Sequence, residues 1–327
     1  MILACDAGGT KTVLSVFSLK NKKLTEHKSE RYVSGDFEDL EDIINAFLSD
    51  SDFKIEAGCA GVPGPVVNGK SASTNLTWDM SEKRIAQKTG IEKFRLVNDL
   101  YALAAAVPFL ESDDVLTVYP GKSSGGKGVK AILAPGTGLG HGFLVPLGEE
   151  KYRIIPSEAG HADFAPVDDL QIELLKYMAA EYGRVSIERV ASGLGLRSIF
   201  KFLHETGAAK ATTEFLAEIK TEDPGATISK YALSGKDELA VMALDLFTRI
   251  LGQQAGNLVL TTMATGGVYL GGGIPPKIAK KITDGAFVDA YLAKGRLSYI
   301  VENTPVYLIK DSNAGLHGSA YIAAGLI

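Results

Sequence analysis

Ile2-Leu3-Ala4-Cys5-Asp6-Ala7-Gly8-Gly9-Thr10-Lys11 opens the chain on an apolar run that breaks at two glycines, and a second apolar and β-branched run follows over 12–19. A run, a glycine turn and a run predict a β-hairpin whose turn presents its backbone N–H groups. Such a concavity suits an anion, because a glycine lets phosphate oxygens come close to the backbone. Thr10 and Lys11 add a hydroxyl and a charge, and Asp6 is a carboxylate able to hold Mg²⁺ or its waters. A plain tight hairpin is the alternative reading, and the acid just before the turn favours phosphate.

The same pattern returns later in the chain. A strand is predicted over 129–134, then Gly136-Thr137-Gly138-Leu139-Gly140, then a strand again over 141–145. Two related hairpins suggest a duplicated unit gripping one polyphosphate from both sides, a nucleotide clamp without a P-loop. A third strand, over 268–270, runs into Gly271-Gly272-Gly273, where a flat nucleoside ring could lie against the backbone.

Val97-Asn98-Asp99-Leu100 marks another junction. Phe94, Leu96 and Val97 lead in as a strand, and Leu100, Leu103, Ala104 and Val107 follow at helical spacing. Asp99 either caps its own helix or serves as a general base at the mouth of a cleft.

Gly64-Pro65-Val66-Val67-Asn68-Gly69-Lys70-Ser71 fits the G-x-x-x-x-G-K-[ST] pattern of a P-loop letter for letter. That pattern requires a helix starting at the lysine. The residues that follow have no helical period, and Asn68-Gly69 between short runs is a hairpin signal. The P-loop is rejected.

The remaining chain is predicted as a strand over 24–33, a helix over 37–48 with Leu40, Ile43, Ile44 and Phe47 inward, and a strand over 53–62. Ser81 is read as the cap of a helix over 82–89, and the helix after Asp99 is expected to end near Pro108. After a strand over 152–155, Ser157-Glu158-Ala159-Gly160-His161-Ala162-Asp163 carries a Glu-x-x-His spacing. Metal ligation at that spacing needs a helix; Gly160, Pro156 and Pro166 predict a loop. Glu, His and Asp there suit a polyhydroxylated ligand or form a solvated polar loop. Glu188 is a further ligand carboxylate or a first-turn helix charge. Helices are expected over 172–182, 194–206, 238–262 and 313–324, with a surface turn over 221–225 and a late strand over 306–309.

The 327 residues favour two domains, set at 1–109 joined by a C-terminal helix over 312–327, and 110–311. A net charge of −5 without basic runs speaks against nucleic acid. No apolar run can span a bilayer and the N-terminus lacks a signal-peptide pattern. Cys5 and Cys59, the two cysteines, read as reduced core residues, which fits a cytoplasmic protein.

Taken in order, Asp6-Ala7-Gly8-Gly9-Thr10, Thr74-Asn75-Leu76-Thr77-Trp78, Val97-Asn98-Asp99, Gly136-Thr137-Gly138-Leu139-Gly140, 157–166 and Gly271-Gly272-Gly273 resemble the bacterial ATP-dependent glucokinases, within the actin-like sugar kinase superfamily. The resemblance implies an α/β fold of two actin-like (ribonuclease H-like) domains with an interdomain cleft, and transfer of the γ-phosphoryl group of MgATP to the 6-hydroxyl of glucose. It implies Asp99 as the base, with Asn98, Asp99, Glu158, His161 and Glu188 on the sugar. ATP is expected on Asp6, Ala7, Gly8, Gly9, Thr10, Lys11, Gly136, Thr137, Gly138, Gly271 and Gly272, with Mg²⁺ near Asp6 and a homodimer as the assembly. Lys11 departs from the Asn more common in that family and is similar to the related repressor/kinase group, whose cysteine-rich zinc motif is missing. A kinase for another hexose or amino sugar, a sugar-responsive regulator and an actin-like chaperone ATPase are the competing readings.

Overall fold

The computed structural model describes residues 1–72, 78–122, 126–148 and 151–326. The chain divides into two compact units, Met1–Asp114 with Asp311–Ile327, and Val115–Lys310.

In the first unit β1 (Ile2–Ala7), β2 (Lys11–Lys20) and β3 (Lys23–Val33) form an antiparallel meander. After α1 (Leu40–Leu48), strand β4 (Ala57–Val62) returns parallel to β1. A short hairpin, β5 (Lys70–Ala72) and β6 (Asp79–Ser81), precedes α2 (Glu82–Thr89) and β7 (Phe94–Asn98), which adds parallel to β4. The sheet order is β3-β2-β1-β4-β7. Helix α3 (Asp99–Ala106) follows directly.

The second unit repeats that plan. It begins with β8 (Val115–Tyr119); β9 (Lys130–Pro135), β10 (Leu139–Gly148) and β11 (Lys151–Ser157) then form its antiparallel meander. Helices α4 (Asp169–Tyr182), α5 (Glu188–Ala191), α6 (Gly193–Glu205), α7 (Thr213–Glu218), α8 (Pro224–Leu233) and α9 (Glu238–Thr262) come next. Strand β12 (Val268–Leu270) joins β9 in parallel; then α10 (Ala279–Ile282), α11 (Ala286–Leu292) and α12 (Ser298–Glu302) lead to β13 (Val306–Ile309). The order is β11-β10-β9-β12-β13-β8, with β8 antiparallel at the edge. Helix α13 (Ala314–Ala324) belongs to the first unit, where Leu316, Ala320 and Ala323 pack with Ile2, Ala4, Cys59 and Ala102. Two mixed sheets, each a three-strand meander continued by two parallel strands, are the actin-like architecture.

Local chemistry explains most boundaries. Leu40, Ile43, Ile44 and Phe47 are fully buried along one face of α1, each burial contributing about 1.5–3 kcal/mol. The helix begins at Leu40 rather than near 37, because Asp39 accepts the Asp42 N–H and sets the start. Strand β4 is shorter than the apolar run predicted; it pairs only from Ala57. Ser81 stands at the α2 cap position without a capping hydrogen bond, and Gly69 C=O takes the Glu82 N–H instead. The expected turn over 221–225 is cut short because Asp223 caps α8, which starts at Pro224. Asn68 and Gly69 both have positive φ, and Val67 and Lys70 exchange both backbone bonds, which is a type I′ hairpin. The P-loop lookalike is therefore a β-turn. Thr74–Thr77 of the motif around Trp78 lie outside the described residues; Trp78 itself is buried and donates to Phe37 C=O.

Candidate active site

Ligands of parallel sheets bind beyond the carboxyl ends of the strands. In the first unit, register places Asp6 opposite Gly61, and Gly61 opposite Val97. The β1 end, with the Gly8–Thr10 turn, thus stands level with the β7 end, where Asn98 and Asp99 begin α3.

Asn98, not Asp99, is the cap of α3: its Oδ1 accepts the Leu100 N–H at 3.0 Å and its Nδ2 donates to Gly64 C=O at 3.1 Å. Asp99 is the first helical residue, with Oδ1 accepting the same Leu100 N–H at 2.8 Å. A carboxylate at a helix N-terminus is ordinarily stabilised as the anion. Desolvation by the surrounding protein nevertheless wins, and the Asp99 pKa is raised even though solvent reaches the side chain. Among the described residues no cation pairs with it. Asp6 is raised too, first by burial and then by the negative charge of Asp99, with Lys11 opposing. The two carboxylates belong to one electrostatic site.

The first glycine turn is closed by Gly8 N–H to Lys11 C=O at 2.9 Å. A residue without a sequence signal supports it. Ser34, fully buried at the end of β3, donates Oγ to Gly8 C=O at 2.7 Å and its N–H to Thr10 C=O at 3.1 Å. Its single proton is used there, so the Thr12 hydroxyl is the donor in the 3.0 Å contact with Ser34 Oγ. Sequence reasoning missed Ser34 because its tie to the turn crosses a strand pair.

In the second unit the turn between β9 and β10 is tighter than the glycine run suggested, since β10 already begins at Leu139. Gly136 N–H donates to Gly138 C=O at 2.8 Å, and Gly193 N–H donates to Gly136 C=O at 2.8 Å. The triple glycine packs beside it: Gly271 N–H reaches Leu133 C=O at 3.0 Å. Gly272 has φ +80°, and a Cβ there would lie 2.7 Å from Pro135 O. The predicted nucleotide residues Gly136, Thr137, Gly138, Gly271 and Gly272 are thus neighbours through β9 and β12.

Glu158, His161 and Glu188 also come together. Residues Ala159–His161 form one 3₁₀ turn. His161 Nε2 lies 4.0 Å from Glu158 Oε2, and its Nδ1 lies 3.8 Å from Glu188 Oε1. These gaps exceed a hydrogen bond, so the group holds donors and acceptors ready for hydroxyls. Glu188 is the first residue of α5 and its Oε2 accepts the Leu139 N–H at 2.9 Å. Asp163, expected with the ligand loop, is instead committed to Arg184 at 2.7 Å, and Arg184 also donates to His161 C=O at 2.7 Å. That clamp orients the loop and occupies Asp163 Oδ1, leaving Oδ2 as the oxygen open to a hydroxyl. A cavity of about 450 Å³ bordered by Ser234, Val241 and Lys280 contains none of the candidate residues.

Among the described residues no three His, Cys, Asp or Glu side chains gather as a metal cage. Mg²⁺ held through water by one or two carboxylates needs none. The hard oxygen donor of Asp6, raised by burial and by Asp99, fits such an ion.

The sequence model of the family described as glucokinase matches residues 3–326. A glucokinase of Nostoc sp. (strain PCC 7120) is 39% identical over 100% of this chain and 99% of its own length. The crystal structure of a glucokinase from an Antarctic psychrotroph is 29% identical, with a TM-score of 0.87, covering 99% of this chain and 98% of that one. A glucokinase of the ROK family from Streptomyces griseus, solved with glucose and AMPPNP, shares the fold at 19% identity and a TM-score of 0.64, covering 99% of each chain.

Proposed function

The chain belongs to the glucokinase family, ATP-dependent enzymes that phosphorylate glucose, and from that premise we propose that Asp99 is the base of the reaction. The enzyme transfers the γ-phosphoryl group of ATP to the 6-hydroxyl of glucose, releasing glucose 6-phosphate and ADP. Asp99 accepts the 6-hydroxyl proton as that oxygen bonds to the γ-phosphorus and the bond to the ADP oxygen breaks. The observation that carries this assignment is a solvent-reachable carboxylate at the end of β7, raised by desolvation and without a cation partner among the described residues. A raised pKa makes a better proton acceptor near neutral pH.

Asn98, Glu158, His161 and Glu188 hold the other hydroxyls: carboxylates accept, the amide and imidazole do either. The turns at Asp6–Lys11 and Gly136–Gly138 hold the phosphates through backbone N–H groups, which stabilise the charge that develops in transfer. The Gly271-Gly272 backbone takes the nucleoside. Mg²⁺, when bound, supplies charge neutralisation on the phosphate oxygens, and Asp6 is the residue that would hold it, through water. Buried, unpaired Cys5 and Cys59 agree with a reducing cytoplasm, and no helix of the described residues is long and apolar enough to cross a membrane. A homodimer is the assembly the resemblance implies; the mass in solution tests it, and a monomer's mass would overturn it.

A coupled assay of ATP consumption with and without glucose tests the activity. Asp99→Asn tests the base: glucose-dependent turnover is expected to collapse, and a variant that keeps near-normal turnover removes Asp99 from that role.

A further inference from the structure

Glu188 touches two parts of the second unit that the sequence keeps apart. Oε2 accepts the N–H of Leu139, the residue that ends the nucleotide turn, at 2.9 Å. Oε1 faces His161 Nδ1 at 3.8 Å, on the sugar side. Gly138 leaves that carboxylate its room: a Cβ added there would stand 2.6 Å from Glu188 Oε2. The carboxylate is one rigid plane, so a turn that improves one oxygen's bond moves the other. The nucleotide turn is fixed at its start by Gly193 N–H on Gly136 C=O and across by Gly136 N–H on Gly138 C=O. Glu188 is the side chain that holds its far end.

We propose that Glu188 is a positioning residue for the nucleotide turn, through which glucose bound at one carboxylate oxygen sets the 136–139 backbone for ATP. The inference rests on the sugar and phosphate assignments proposed above and adds an energetic link between them. Glucose hydroxyls that draw Oε1 into place hold Oε2 on Leu139 N–H, so the turn's remaining N–H groups stay aimed at phosphate. Linkage is reciprocal: whatever glucose does for the nucleotide, the nucleotide does for glucose.

Isothermal titration with glucose and with AMPPNP, each alone and in the presence of the other, measures the link in the wild type, Glu188→Gln and Gly138→Ala. Each ligand is expected to tighten the other by about fivefold or more in the wild type, within the usual span of coupling. Gly138→Ala removes no group that contacts sugar, yet its methyl displaces the Glu188 carboxylate. It is expected to weaken glucose binding by about threefold or more with no nucleotide present, a shift on the order of 0.7 kcal/mol or more. Glu188→Gln keeps an oxygen for Leu139 but turns an N–H₂ toward His161 and the sugar, and is expected to reduce the coupling toward one. Absence of coupling in the wild type overturns the proposal. So does Gly138→Ala with wild-type glucose affinity, or Glu188→Gln that weakens glucose while coupling stays intact. If Glu188→Gln leaves glucose affinity itself unchanged, the failure lies in the sugar assignment of Glu188, and the link falls with it.

Discussion

The two units share a strand plan, yet their glycine turns are held in opposite ways. The first turn is braced by a neutral hydroxyl, Ser34 Oγ on Gly8 C=O, while the acids beside it, Asp6 and Asp99, are both raised from the ordinary aspartate value, chiefly by desolvation. The second turn is held by an acid, Glu188 on Leu139 N–H. One sheet end therefore keeps its carboxylates short of compensating bonds and ready for protons or a cation. The other uses its carboxylate as scaffold, on Leu139 N–H, with its second oxygen facing His161. A repeated fold can divide labour in this way, because topology sets where strand ends lie and side chains decide which charges are satisfied there.

The sharpest test of that contrast is Asp99→Asn. It is expected to lower kcat by about 10²–10⁴, the usual worth of a positioned base, with little change in glucose affinity by titration. The same variant is expected to melt at a higher temperature at neutral pH. The sign follows from the raised pKa: the folded state favours the protonated form, so stability from this group is present at low pH and lost as pH rises through the folded pKa. An uncharged amide removes that loss. If melting falls instead, Asp99 is a structural anion like Glu188. The kcat–pH profile checks the same point, since activity should fail on acidification at a pH above the ordinary aspartate value of about 3.9.

Next in size is His161→Ala on the other side of the comparison. Loss of a hydrogen bond to a hydroxyl ligand is worth about 1–3 kcal/mol, so KM for glucose should rise by roughly 5- to 150-fold with KM for ATP less affected. A larger effect on ATP than on glucose would remove His161 from the sugar set.

Ser34→Ala probes the neutral brace. It leaves Gly8 C=O without its hydroxyl donor, at a cost of about 1–3 kcal/mol, expected as a raised KM for ATP and a lower melting temperature together. A change in melting alone would make Ser34 a structural residue with no bearing on the turn. Smallest is Lys70→Ala, the lysine of the P-loop lookalike. Both kinetic constants should stay within about twofold, as for a surface position outside special features, and a large loss of ATP affinity would revive the P-loop.

Elements read correctly in the sequence were those whose cause is local. Helix α9 runs over Glu238–Thr262, as its apolar period predicts. The Asn68-Gly69 turn and the strand-to-helix step at Asn98-Asp99 likewise depend on neighbouring backbone dihedrals and on side chains two residues away. Helices α7, α8 and α10–α12 went unread: α8 starts at Pro224, inside the stretch read as a surface turn, and the others run four to seven residues each, too short to show a period and stabilised by packing.

The sequence by itself determined the glycine turns, the acids beside them and the likeness of the two glycine hairpins, because each is written in adjacent residues. Only the tertiary structure decided which partner each polar group meets. It put Ser34 under the first turn, gave Asp163 to Arg184, set Asp6 within the field of Asp99, and drew Glu188 to Leu139 across 49 residues of chain. Those outcomes come from distance and desolvation in the folded chain, and no local pattern encodes either.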